Sequence, residues 1–142
     1  MIDFFISYSS KDQLEVKQFY QMIIDSGLSC FMAHMSIKEG STYAREVPVA
    51  IKASNVFLLA VSKYSQESPW VRKELDCARN NNKKIIALQI SPTPLSPIYM
   101  LYLKDIEVIS CYEHSLKAKE TIEKLIKEYI NDNPERVIQK EE

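Results

Sequence analysis

Glycine is nearly missing from this sequence: only Gly27 and Gly40 occur in 142 residues, where average usage gives about ten. A Walker loop and a dinucleotide fingerprint both need several glycines so that backbone amides can approach phosphate, and both are excluded. Histidine is equally scarce, and His34 and His114 alone are a poor basis for a metal centre or a His-activated nucleophile. The three cysteines, Cys30, Cys77 and Cys111, are odd in number and widely spaced, which fits neither a disulfide framework nor paired zinc ligands. A reducing compartment is the simpler expectation. Neither charge dominates, with 18 Lys+Arg against 19 Asp+Glu, and nucleic-acid binding needs a concentrated basic surface. No apolar run approaches the ~18 residues of a membrane span, and residues 1–6 carry no basic stretch ahead of a long apolar one. The expectation is a cytoplasmic protein with no direct nucleic-acid partner and no membrane partner.

What is present is the composition of an ordinary globular chain, 46% hydrophobic and 26% charged, long enough for a single domain. Residues 2–8 are β-branched and aromatic and run into Ser9-Ser10-Lys11-Asp12, so they read as a strand ending in a polar loop. Apolar residues then recur at helical spacing over 13–25, with Gly27 placed to cap the helix. A short strand over 28–32, a polar loop over 33–41 and a helix over 42–53, in which Pro48 removes an interior backbone donor and is able to shorten or kink it, come next. The unbroken apolar run over 56–61 suggests a central parallel strand covered on both faces. Ser68-Pro69 supplies an N-cap and a first helical residue for a helix over 69–80, which Asn80-Asn81-Asn82 ends. Strands over 84–90 and 106–111 flank a proline-rich loop and a short helix over 98–104, and an amphipathic helix covers 115–130.

Five strands alternating with helices predict a flavodoxin-like α/β sandwich: a parallel sheet in the order 2-1-3-4-5, helices on both faces and right-handed crossovers. That order opens a crevice at the carboxyl ends of strands one and three. The loop after the first strand carries Ser7, Tyr8, Ser9 and Ser10, and the loop after the third carries Ser62, Lys63 and Tyr64. Hydroxyls, an ammonium and aromatic faces suit a ribose, a diphosphate and a base, although serines also end strands simply by satisfying backbone groups. In the helix over 69–80, Val71, Leu75 and Ala78 make the core face. Trp70, Glu74 and Cys77 form a stripe rotated by about 100° from it. Glu74 is thus expected at the boundary of core and solvent, either beside the crevice or as a solvated glutamate behind an anchoring tryptophan. A phospho-acceptor receiver lacks its acidic cluster here, and a flavodoxin lacks its first-loop glycine.

The segment Phe4-Phe5-Ile6-Ser7-Tyr8-Ser9-Ser10-Lys11-Asp12 resembles the first box of Toll/interleukin-1 receptor (TIR) domains. Ile37-Lys38-Glu39-Gly40-Ser41-Thr42-Tyr43 is similar to the second-box loop, and Ser68-Pro69-Trp70-Val71-Arg72-Lys73-Glu74-Leu75 is the strongest match. The resemblance covers about residues 1–130, is closest to the bacterial type, and divides the chain into a domain over 1–131 and a polar tail or linker over 132–142. The family includes scaffold modules and enzymes that cleave NAD+ between nicotinamide and ribose. In the enzymes an essential glutamate falls on Glu74. The resemblance further implies that Ser7, Tyr8, Ser9, Ala33, Gly40, Tyr43, Ser62 and Trp70 border the nucleotide, and that the second-box loop of one subunit can complete a neighbour's site. It departs from the pattern at Ala33, where an acidic residue is frequent, at Tyr43, where tryptophan is, and at Ser9 and Ser10, where some members have arginine.

NAD+ would be the substrate, and no cofactor or metal is expected. A single carboxylate suffices chemically because nicotinamide departs from a cationic pyridinium as a neutral molecule. The general acid that ordinary glycosidases require is then dispensable. The implied product is nicotinamide with ADP-ribose or a cyclised ADP-ribose, made in bacterial anti-phage defence or signalling by a self-associating domain joined to a sensor or effector protein. Two other readings stand beside it: a noncatalytic adaptor acting through homotypic contacts, and an enzyme like the nucleoside deoxyribosyltransferases.

Overall fold

A computed structural model describes residues 1–33, 43–112 and 115–136, the side chains of residues 43, 44, 115 and 116 excepted. Its centre is a five-stranded sheet in the order β2-β1-β3-β4-β5, with every adjacent pair parallel. The strands are β1 (Ile2–Ser7), β2 (Cys30–Met32), β3 (Ser54–Val61), β4 (Lys84–Gln89) and β5 (Glu107–Ser110). The helices are α1 (Gln13–Asp25), α2 (Tyr43–Ala53), α3 (Lys63–Gln66), α4 (Pro69–Asn80), α5 (Pro97–Tyr102) and α6 (Ser115–Asp132). The expected doubly wound architecture is therefore the observed one.

Strand alternation sorts the core into two layers. Phe4, Ile6 and Tyr8 of the first strand and its end pack with Val56, Leu58 and Ala60 against Val16, Phe19 and Ile23 of α1 and Ile122 and Leu125 of α6. Phe5 joins Phe57, Leu59 and Val61 against Val47 and Ile51 of α2 and Val71, Leu75 and Ala78 of α4. Since β1 and β3 are apolar on both sides, they cannot lie at an edge, and they form the middle of the sheet. Phe5 stacks between Phe31 and Phe57, at centroid distances of 5.3 and 5.4 Å, which locks the registers of β2, β1 and β3 together.

Helix ends follow the local chemistry. Gly27 takes φ 88° after α1, a left-handed turn that glycine adopts without steric cost. Ser68 accepts a hydrogen bond from the Val71 amide at 3.3 Å and Pro69 follows at N1, so α4 begins at Pro69. Its end is made by Asn82, at φ 55°, a conformation asparagine tolerates better than most residues. α2 runs through Pro48.

Three local expectations are corrected. Residues 63–66, read as loop, form α3, because Ser62 and Ser65 make a reciprocal capping box that nucleates a turn too short to show any period. Leu14, one of the apolar residues that recur over 13–25, is 85% exposed, since it falls off the stripe formed by Val16, Phe19 and Ile23. Glu74, expected at the boundary, is 4% exposed.

At the amino end of the sheet Asp3 is fully buried. Tyr129 donates to its Oδ1 at 2.6 Å, the Ser29 amide and hydroxyl donate to Oδ2 at 2.8 and 3.0 Å, and the Arg136 guanidinium donates to Oδ2 at 2.9 Å. The packed unit thus reaches Arg136, beyond α6.

Candidate active site

The crevice between β1 and β3 is built by three segments. β1 ends at Ser7, paired with Leu59 of β3, and the chain turns through a single 3-10 turn at Ser10–Asp12 into α1. β3 ends at Val61 and passes through Ser62 into α3. α4 then crosses back over the layer that contains Phe5 and Phe57.

Ser7 follows Phe5 on one face of the strand, and in the second turn of α4 Glu74 lies one residue before Leu75. These two periodicities bring the side chains together: the Ser7 hydroxyl donates to Glu74 Oε1 at 2.7 Å, with both residues buried. A carboxylate withdrawn from water is costly unless hydrogen-bonded, and Ser7 supplies that bond at the carboxyl end of the central strand. Trp70, one turn earlier on α4, is half exposed and has the Lys73 ammonium 5.0 Å from its ring centroid. Cys77 lies one turn later. Burial pushes its thiol up and the nearby charge of Glu74 adds to this, against a hydrogen bond from Asn81.

The two loops meet across the crevice. The Ser62 hydroxyl donates to Asp12 Oδ2 at 2.5 Å and accepts from the Ser65 amide at 3.1 Å. Lys11 Nζ lies 5.0 Å from the centroid of the Tyr64 ring. Gln66 ties in the loop after β4, donating to the Ser62 and Pro94 carbonyls and accepting from the Ser96 amide at 2.7 Å. Asp12 and Gln66 were not singled out from sequence. The sole hint for Asp12 is its position directly after the Ser-Ser-Lys loop, and nothing in the sequence marks Gln66.

The residues expected to border a nucleotide are dispersed accordingly. Ser7 joins Glu74, and Trp70 stands on the same stripe of α4. Tyr8 turns to the other layer and packs with the α1–α6 core, as the twofold period of a strand requires. Ser9 accepts a hydrogen bond from the Lys11 amide and caps the 3-10 turn. The Ser62 hydroxyl is engaged by Asp12 and by the cap of α3. Ala33 is buried in the α2–α4 layer directly after β2. Gly40 and the Tyr43 side chain lie outside the described residues. A groove of about 570 Å³ opens elsewhere, at the amino end of the sheet, where Asn55, Lys84, Glu107, Lys124 and Glu128 help line it. It includes none of the crevice residues.

The fold is a doubly wound α/β domain with a buried acid at the carboxyl end of its sheet, where the strand order reverses. Residues 4–126 match the model of the TIR domain family, and the chain belongs to that family. No curated protein matches it by sequence. Among solved structures it is similar to the TIR domain of the Toll-related receptor TRR-2 from Hydra magnipapillata. The TM-score is 0.72 at 15% identity, over 89% of this chain and 99% of that one. It is similar to the RPS4 and RRS1 TIR domain heterodimer, with a TM-score of 0.67 at 13% identity over 92% and 99%. The CMP N-glycosidase BcmB of Clostridium botulinum aligns with a TM-score of 0.58 at 17% identity over 87% and 97%. Among the described residues, no helix is long and apolar enough to cross a membrane.

Proposed function

We propose that this TIR domain is an N-glycosidase that cleaves NAD+ between nicotinamide and ribose, with Glu74 as its catalytic carboxylate. The observation that carries this reading is the burial of Glu74 at the crevice, held by Ser7, where a merely solvated helix glutamate has no reason to be. The C1′–N bond breaks with its electron pair going to nicotinamide, which cancels the pyridinium charge. Glu74 stabilises the positive charge left on the ribose, a preorganised electrostatic role. Water then adds to C1′ and gives up a proton, yielding ADP-ribose. If a ring nitrogen of the same nucleotide attacks instead, the product is cyclic ADP-ribose. Exposed Trp70 offers an aromatic face on which a base can stack.

A neighbour of the same fold is a CMP N-glycosidase, which supports bond cleavage at a nucleotide's anomeric carbon as chemistry this sheet can host. Another is a TIR heterodimer, which supports self-association of this domain as the active arrangement. The setting is bacterial defence or signalling in the cytoplasm, with an attached or separate sensor controlling assembly.

The test is to incubate concentrated protein with NAD+, and separately with CMP, and to follow nicotinamide and cytosine release by chromatography beside Glu74→Gln. Nicotinamide from the parent and almost none from the variant is the expected result, and the same traces separate linear from cyclic product. Cytosine release alone replaces the substrate and keeps the reaction class. Equal turnover by the variant removes Glu74 from the mechanism. Silence of assembled protein with both nucleotides favours a noncatalytic adaptor that works through TIR–TIR contacts.

A further inference from the structure

We infer that Ser7 is a positioning residue that sets the orientation of the Glu74 carboxylate, rather than a group that contacts the nucleotide. The inference rests on the reading of Glu74 as the catalytic carboxylate. Three observations carry it. The Ser7 hydroxyl has one proton, and that proton is given to Glu74 Oε1 at 2.7 Å, so it is not available to a ribose or phosphate oxygen. Ser7 is 1% exposed, which leaves its side chain little surface for a ligand. Its backbone is fixed in the middle of the sheet by pairing with Leu59, so the hydroxyl starts from one of the least mobile points in the molecule.

Glutamate has three side-chain torsions, and its terminal one is broad. A carboxylate at the end of such a chain needs an external tether to hold one plane. α4 fixes where the Cα of Glu74 lies, through the Ser68 cap, Pro69 and the packing of Val71 and Leu75. Ser7 fixes one of its oxygens. A donor on the strand and an acceptor on the helix also make the bond a tie between the sheet and α4 at the place where charge has to be stabilised.

The experiment has a structural arm and a kinetic arm, with Ser7→Ala and Ser7→Thr compared with the parent. In crystals of Ser7→Ala the Glu74 carboxylate is expected to rotate or to spread over more than one rotamer, while α4 keeps its place. A carboxylate unchanged in position and order overturns the inference, whatever the enzyme does. In the kinetic arm Ser7→Ala lowers kcat for NAD+ by about 100-fold, the scale of a misplaced catalytic group, with KM within about twofold of the parent, as expected when ground-state binding is untouched. Ser7→Thr, which retains the hydroxyl, recovers most of the rate. A raised KM with unchanged kcat overturns the inference and makes Ser7 a substrate contact. If the parent cleaves neither NAD+ nor CMP, the functional reading falls, and the crystals of Ser7→Ala still decide whether Ser7 orients Glu74.

Discussion

Among the described residues one buried acid lies at each end of the sheet, and the two are treated differently. Asp3, at the amino end, is fully buried and held by a guanidinium, a phenol, an amide and a hydroxyl. Burial alone pushes its carboxyl up, but Arg136, Tyr129 and Ser29 together outweigh this and hold it below the ordinary carboxylate range. The same contact pushes the Tyr129 phenol up to about 12, with burial as the larger cause and the Asp3 bond next. Glu74, at the carboxyl end, is held by the neutral hydroxyl of Ser7 beside the β1 and β3 loops. Asp3, matched by a full counter-charge and several donors, is an acid the fold uses, whereas the Ser7 bond holds Glu74 at the end of the sheet where the proposed reaction would bring it a nucleotide.

The contrast can be broken most sharply at Glu74. Glu74→Gln is expected to lose at least about 100-fold in NAD+ cleavage, the scale on which single electrostatic stabilisers act, while its thermal midpoint stays close to the parent's. A large loss of stability with unchanged turnover would assign Glu74 to the fold alongside Asp3. Next in size is Arg136→Ala, which leaves a buried carboxylate without its counter-charge and should cost about 3 kcal/mol by urea unfolding. The turnover of the remaining folded protein should match the parent's.

The pH dependence sharpens the same distinction. A carboxylate held low in the folded state contributes stability that is present above its unfolded value, near ~3.9, and is lost as pH falls through the folded one. The difference in unfolding free energy between the parent and Asp3→Asn should therefore stay constant from pH 7 to 5 and narrow below about pH 4. A difference that persists unchanged at low pH would mean the carboxylate charge is not what Asp3 contributes. The smallest effect is expected at the crevice tie: Ser62→Ala should cost about 1 kcal/mol, the usual net worth of a hydrogen bond. Calorimetry of Ser62→Ala beside Asp12→Asn shows whether the two residues act as one.

Most of the framework was legible in the sequence because each element had local chemistry to announce it. β3 is an unbroken apolar run, and α4 is bounded by Ser68-Pro69 at its start and an asparagine run at its end. Alternation and handedness then call for a parallel doubly wound sheet, and 2-1-3-4-5 is the usual order for five strands of that kind. Helical periodicity correctly placed Val71, Leu75 and Ala78 in the core, but it could give only the direction of Glu74 around the helix. Its depth depends on how closely α4 approaches β1, and that is set by residues such as Phe5 and Leu75 packing between them. Tyr8 faces the opposite way from Ser7, as neighbours on a strand do, so it packs with the α1–α6 core while Ser7 meets α4. The Asp3–Arg136 contact spans 133 positions and the Asp12–Ser62 bond spans 50. Long-range polar pairs of this kind leave no periodic trace, so they become visible only once the sheet is assembled.

The Arg136 contact also bears on how the protein should be handled. The family match stops at residue 126 and α6 at Asp132, so either point invites a cut when a shorter version is prepared for expression. Both cuts remove the cation that neutralises Asp3 and leave a buried anion on β1. A trimmed protein that misfolds or precipitates would then say nothing about the TIR fold, and the cure is to keep the chain through Arg136.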